Sequence, residues 1–237
     1  MPETLTLEST GGAMGLYEAK PDGAPRGAVI VIQEAFGVND HIEDLCRRFA
    51  AEGYLAVAPH IYHRSGDPII AYEDMQSVIP HIMALNPDNL IADLDATIKH
   101  LEAAGFGPKQ TAVVGFCAGG SIVVLAAERT AFGAAVTFYG GGVAQGRFGM
   151  SPLLDLAPGL KTPWLGMFGD LDASIPTEEV EWLREAAAES SVPTQVIRYP
   201  EANHGFHCDA RDSYHEPSAT QAWKETLAWL DTHLAAK

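Results

Sequence analysis

The sequence predicts a doubly wound α/β fold, with a mostly parallel sheet, an antiparallel N-terminal edge and helices on both faces. Three observations carry this expectation. Short apolar runs recur along the chain, hydrophobic nearly throughout, as strands buried on both faces must be. Stretches with helical periodicity lie between them. The 237 residues are 47% hydrophobic and 19% charged, enough apolar side chain for one large core. With no repeat, linker or charge block, one domain over residues 1–237 is expected.

Leu5 to Lys20 reads as an antiparallel hairpin interrupted by Gly11 and Gly12. The first core strand is Ala28 to Gln33 (AVIVIQ), followed by a helix with Ile42, Leu45, Cys46, Phe49 and Ala50 at the helix period. Tyr54 to Pro59 (YLAVAP) is the next strand, and Arg64 to Leu85 is expected to be loop and helix over the carboxyl end of the sheet. Asn86 then Pro87 provides a cap and a first-turn proline before Leu90, Leu94, Ile98 and Leu101. Further strands are Thr111 to Phe116, Ala134 to Tyr139, Pro163 to Phe168 and Thr194 to Tyr199. One helix opens after Pro176 with Thr177, Glu178 and Glu179; a last one carries Trp223, Leu227, Leu230 and Leu234 on one stripe.

Composition excludes several classes of function. Fifteen Lys plus Arg against 31 Asp plus Glu give a formal charge of -16, a field that repels phosphate backbones and anionic lipid, so neither nucleic acid nor membrane is an expected partner. The uncharged run Gln110 to Ala127 approaches the length of a membrane span, but its Gly-Phe-Cys-Ala-Gly-Gly centre divides it into strand, turn and helix. Cys46, Cys117 and Cys208 form neither an even disulfide framework nor a CxxC pair, and the N-terminus lacks a signal-peptide pattern. A cytoplasmic location is the expectation.

In Gly115-Phe116-Cys117-Ala118-Gly119-Gly120 an apolar strand runs straight into an apolar helix. This is the G-x-S-x-G elbow with cysteine for serine, a turn whose glycines permit strain and close approach while the nucleophile is exposed at a helix N-terminus. There the amide of Ala118 and the helix dipole can stabilise an anion. Taken alone, a cysteine in a tight turn is a buried, inert residue; strand, elbow and helix together point to a nucleophile. His204, after the strand Thr194 to Tyr199, can bring its imidazole over the sheet end as the base. His41, His100 and His233 lie at a helix start or in helical patterns and read as surface residues. Asp170 and Asp172 compete as the orienting acid; loop position favours Asp172, and Cys117, Asp172, His204 is the chain order of α/β-hydrolases.

From about Gly27 onward the sequence resembles the dienelactone hydrolase family, or carboxymethylenebutenolidases, of the α/β-hydrolase superfamily. The resemblance rests on Gln33-Glu34-Ala35-Phe36-Gly37, Ala58-Pro59-His60-Ile61-Tyr62, the GFCAGG elbow, Gly169 through Pro176, and His204-Gly205-Phe206, in that order. It implies an ester or lactone hydrolase that needs no cofactor and works through an acyl-thioester. It implies that Asp172 is the acid, that Glu34 contacts the thiol and governs its ionisation, that the amides of Ala35 and Ala118 form the oxyanion hole, and that Phe36 lies at the substrate. Glu34 also draws attention by itself, because a carboxylate directly after a buried strand is costly unless paired or used; the alternative is a solvated strand-end glutamate. The family's substrate-binding arginine four residues after the histidine is Cys208 here, and no arginine occurs between Arg64 and Arg129. Arg211 is the remaining candidate for that contact, Glu34 is expected to lack an arginine anchor, and neutral or weakly anionic substrates are expected.

Two rival readings use other residues. His60 and His63, and His204 and His207 with Cys208 and Asp209, form H-x-x-H pairs that zinc accepts, but without a clear helix to converge the rings no metal is expected. A non-catalytic binding protein or thiol redox sensor would use Cys117 alone, and would need neither the aligned acid nor the base.

Overall fold

The computed structural model describes residues 2–235. Strands β1 (Glu3–Ser9), β2 (Gly12–Ala19), β3 (Ala28–Ile32), β4 (Leu55–Pro59), β5 (Thr111–Phe116), β6 (Ala134–Phe138), β7 (Trp164–Gly169) and β8 (Thr194–Tyr199) form one sheet in the order β1-β2-β4-β3-β5-β6-β7-β8. β2 runs antiparallel to both β1 and β4, and all other neighbours are parallel. The central strands β3, β4, β5, β6 and β7 are buried at every position. Each Val or Ile sequestered there contributes roughly 1.5–3 kcal/mol of transfer free energy.

Helices α1 (Asp40–Ala51) and α7 (Glu216–His233) cover one face, where the Phe49 ring lies 4.6 Å from that of Trp223. The other face carries α3 (Pro87–Ala103), α4 (Ala118–Arg129), the short α5 (Leu153–Leu156) and α6 (Thr177–Ala188). Caps define the starts. Asn39 accepts from the Ile42 amide at 3.2 Å, and Asn86 from the Asn89 amide at 3.0 Å. Within the segment read only as loop and helix, α2 (Met75–Ala84) forms behind the Asp74 cap despite Pro80 in its interior. The last helix stops at His233, leaving Leu234 beyond its end.

The edge hairpin is fastened to α3 by a buried carboxylate. Asp93, 1% exposed, receives both terminal guanidinium nitrogens of Arg64 at 2.8 Å, the His63 ring at 3.1 Å and the Ser9 hydroxyl. A charge removed from water stays folded in only when so completely partnered. No helix among the described residues is long and apolar enough to cross a membrane.

Two features of topology position the site. Strand β4 lies on one side of β3 and β5 on the other, so the chain reverses its direction of winding between β3 and β5. At such a switch point the loops leaving the carboxyl ends diverge and open a crevice. Register aligns those ends: Ile32 pairs with Gly115, and Phe116 with Phe138.

Candidate active site

Cys117 leaves β5 at φ 55° and ψ −114°, a region that non-glycine residues occupy at a cost of about 1–3 kcal/mol. Its amide is anchored to the Phe138 carbonyl at 3.0 Å. The following helix starts at once and approaches so closely that a Cβ at Gly119 would meet the Ile32 and Gln33 carbonyls, while one at Gly115 would meet Gly119. Glycine is therefore required at both positions. Cys117 is partly exposed, whereas Cys46 and Cys208 are both 0% exposed. Burial pushes the Cys46 thiol up, and pushes Cys208 up to about 11 with help from the Glu34 charge.

His204 and Asp172 meet across the loops after β8 and β7, with Nδ1 and Oδ2 2.6 Å apart. The other aspartate, Asp170, is bound by Arg198 Nε and Nη2 at 2.7 and 2.8 Å. Asp172 is 4% exposed and takes two further bonds at Oδ1, from the Ser174 amide at 2.9 Å and hydroxyl at 2.6 Å. Burial alone would raise its carboxyl, but these donors, His204 foremost, hold it below the usual carboxylate range. Burial likewise opposes protonation of His204, yet Cys117 and Asp172 outweigh it and push the imidazole up to about 10. The ring thus has Asp172 at one nitrogen and the Cys117 sulfur as its other hydrogen-bonding neighbour.

Glu34 follows β3 and is 1% exposed. Its Oε1 accepts from Arg211 Nη1 at 3.3 Å and from the Tyr139 hydroxyl at 3.4 Å, and its Oε2 is buried without a partner. This corrects the expectation that the glutamate lacks an arginine anchor: Arg211 supplies one from seven positions past His204 instead of four. The displacement is possible because Gly205, at φ +77°, lets the guanidinium lie against its backbone, where a Cβ would meet Nη1 at 2.5 Å. The same guanidinium stands 5.6 Å over both the Phe36 and Tyr72 rings. Phe36 is 2% exposed and edge-on to Tyr72 at 4.7 Å, so it forms packing beneath Arg211 instead of an open contact surface.

The Ala35 and Ala118 amides end β3 and begin α4, on the two sides of the crevice. Neither donates to a protein acceptor among the described residues. Tyr62 holds the first of these loops by donating to the Ala35 carbonyl at 3.1 Å. Tyr139, at φ 39°, is 0% exposed and its ring lies 5.1 Å from that of His204. Sequence reasoning did not single out Tyr139 or Tyr72; a tyrosine closing an apolar strand carries no local signal of such a contact.

The histidines outside this group differ from one another. His60 bonds to Asp67 at 2.6 Å, His63 to Asp93, and His100 to Glu18 at 2.7 Å. Among the described residues no group of three or more His, Cys, Asp or Glu side chains could hold a metal ion. His41 departs from its surface reading: it is 8% exposed, 6.3 Å from the Phe116 ring.

Residues 14–234 match the model of the dienelactone hydrolase family. The chain belongs to that family. A relative from Yersinia pestis named "Putative carboxymethylenebutenolidase" is 40% identical over 233 residues, covering 96% of this chain and 87% of its own. One from Methylorubrum extorquens under the same name is 37% identical over 227 residues, covering 92% and 77%. The crystal structure titled "Putative Dienelactone Hydrolase" from Klebsiella pneumoniae is 38% identical, with a TM-score of 0.90 over 98% of this chain and 99% of its own. Esterase 2 of Thermogutta terrifontis, 20% identical with a TM-score of 0.73 over 100% of this chain and 96% of its own, shares the fold. The doubly wound architecture is thus the α/β-hydrolase fold of a dienelactone hydrolase family member.

Proposed function

We propose that this dienelactone hydrolase family member cleaves carboxylic esters or lactones through an acyl-thioester on Cys117. The observation that carries the reading is a partly exposed cysteine on a strained strand-to-helix turn beside an imidazole whose far nitrogen is tied to a buried carboxylate at 2.6 Å. Nucleophile, proton acceptor and orienting acid in that arrangement are the requirements of acyl transfer.

The Sγ proton resides on His204 Nε2, a placement that the upward shift of the imidazole favours, and the thiolate attacks the carbonyl carbon. The carbonyl oxygen becomes an oxyanion that the Ala35 and Ala118 amides receive. Collapse breaks the carbon–oxygen bond, and the imidazolium gives its proton to the leaving oxygen. Neutral His204 then removes a proton from water, the resulting hydroxide attacks the thioester, and cleavage of the carbon–sulfur bond releases acid and thiolate. Asp172 keeps the ring in one orientation throughout. Glu34 belongs to the same reading as the group that controls the thiol, since one oxygen of its buried carboxylate stays open while Arg211 and Tyr139 hold the other.

Arg211 is committed to Glu34, so an anionic substrate must compete with an internal carboxylate for its charge. Neutral and weakly anionic substrates follow. The test is turnover of an activated aryl ester together with mass spectrometry of the stalled enzyme. An acyl adduct on Cys117 and loss of turnover in Cys117→Ala with the fold intact are expected; a wild-type rate in that variant would overturn the assignment. Comparing kcat/KM for an ester and its carboxylate-bearing analogue tests the substrate class, and a strong preference for the anion would overturn it.

A further inference from the structure

On the side of the sheet carrying α1 and α7 lies a pocket of about 250 Å³, bounded by those helices and the loop after His204 and lined by Arg48, His207, Asp209, Tyr214, Thr220 and Lys224. Its polar groups are unusually poor in partners. His207 is 2% exposed, and neither ring nitrogen has a hydrogen-bond partner among the described residues. Arg48 is half-buried with its guanidinium 4.1 Å over the Trp223 ring, and among the described residues that guanidinium makes no ion pair or hydrogen bond. Lys224 likewise has no ion pair among them.

An unsatisfied buried polar group is destabilising and calls for an unseen partner. Water could serve the imidazole but would leave the guanidinium without a directly paired anion. Asp44, Asp209 and Glu52 favour the charged guanidinium only from a distance, without pairing with it, and Asp209 on the rim is 77% exposed and stands 3.8 Å from His41 Nδ1. Burial accordingly moves both Arg48 and His207 away from their charged forms.

We propose that the pocket formed by Arg48, His207 and Lys224 is a binding site for a small oxyanion of phosphate-like size and charge. Arg48 supplies a planar donor fork, His207 a neutral N–H from the floor and Lys224 a point charge from the rim. The Tyr214 and Thr220 hydroxyls are further donors around the same space. The loop that lines the pocket also bears Arg211 and His204, through backbone bonds from Tyr214 to Arg211 and from Cys208 to Gly205, each 3.0 Å. An occupied pocket therefore braces that loop from behind, on the side away from the thiol.

The test is calorimetric titration of the full chain with inorganic phosphate at fixed ionic strength, with chloride as the control. Saturable binding is expected, weakened roughly tenfold to hundredfold in Arg48→Met, which keeps the apolar stem against Trp223, and to a lesser degree in Lys224→Met. Arg211→Met should retain the site. Absence of saturable binding in wild type, or equal affinity in folded Arg48→Met, would overturn the proposal. Loss of binding in Arg211→Met with retention in Arg48→Met would place the anion in the catalytic crevice and overturn it equally. Circular dichroism establishes folding, and Lys224→Met decides if Arg48→Met does not fold. The readout is binding, so it is independent of the esterase reading.

Discussion

Replacing Arg211 by Met isolates what the long-range ion pair contributes. The substitution leaves Glu34, 1% exposed, with Tyr139 at 3.4 Å as its remaining side-chain donor. Breaking a buried pair by removing one partner costs about 3–5 kcal/mol. A single hydrogen bond at 3.3 Å and an Arg211 side chain 20% exposed place this case at the lower end, roughly 3 kcal/mol. For a chain of this size that corresponds to a fall in Tm of about 6–12 °C. Adding Glu34→Gln removes the stranded charge, so the double variant should melt above Arg211→Met. Scanning calorimetry of wild type, both single variants and the double completes the cycle. A melting point for Arg211→Met indistinguishable from wild type, or a double variant whose losses simply add, would refute the argument that Arg211 neutralises a buried carboxylate.

Three further outcomes follow from other parts of the molecule. Gly119→Ala drives a methyl into the Ile32 and Gln33 carbonyls, moving α4 away from β3 and the Ala35 and Ala118 amides out of the alignment that the proposed reaction needs; a loss in kcat of about hundredfold is expected by stopped-flow assay, well beyond any change in KM. Asp93→Ala strands Arg64 and His63 beneath the hairpin and should lower stability by about 3–5 kcal/mol in urea denaturation, with chymotryptic cleavage appearing first in the N-terminal hairpin. His204 has its imidazole raised from 6.5 to about 10, so its contribution to stability is complete below about pH 6.5 and disappears as pH rises towards about 10. The difference in unfolding free energy between wild type and His204→Gln should shrink across that window, and a constant difference would count against the shift.

Much of the fold was legible because its strands are chemically uniform. A run such as AVIVI in β3 has no polar face, so only a doubly covered sheet accommodates it. Asn86 and Pro87 announced α3 because cap and first-turn chemistry is local. The helix α2 escaped delineation: Pro80 interrupts its pattern and Val78 is its one buried residue, leaving no stripe to read. Loop position favoured Asp172 over Asp170 and the family pattern favoured it independently, but the Arg198 partner that occupies Asp170 lies on a neighbouring strand and had no local signal. The pairing of Arg211 with Glu34 was beyond sequence reasoning altogether. It joins residues 177 positions apart and depends on one left-handed glycine that gives no indication of what will lie against it. His41 was misread for a related reason: a polar residue at a helix start reads as solvated unless the loop that covers it is known.

The strained turn at Cys117 has a consequence for exchange of the atom proposed to react. Its backbone is held by the Phe138 carbonyl, by the start of α4 and by glycines that admit no side chain, and none of these restraints touches sulfur. The turn is a mount whose geometry is independent of what is mounted on it. Serine in place of Cys117 should therefore occupy the same backbone, giving a matched pair of enzymes in which thiol and alcohol are compared with every surrounding dipole unchanged. A β-branched residue such as valine could not share the position, because its second γ-carbon would crowd a backbone already outside the ordinary allowed regions.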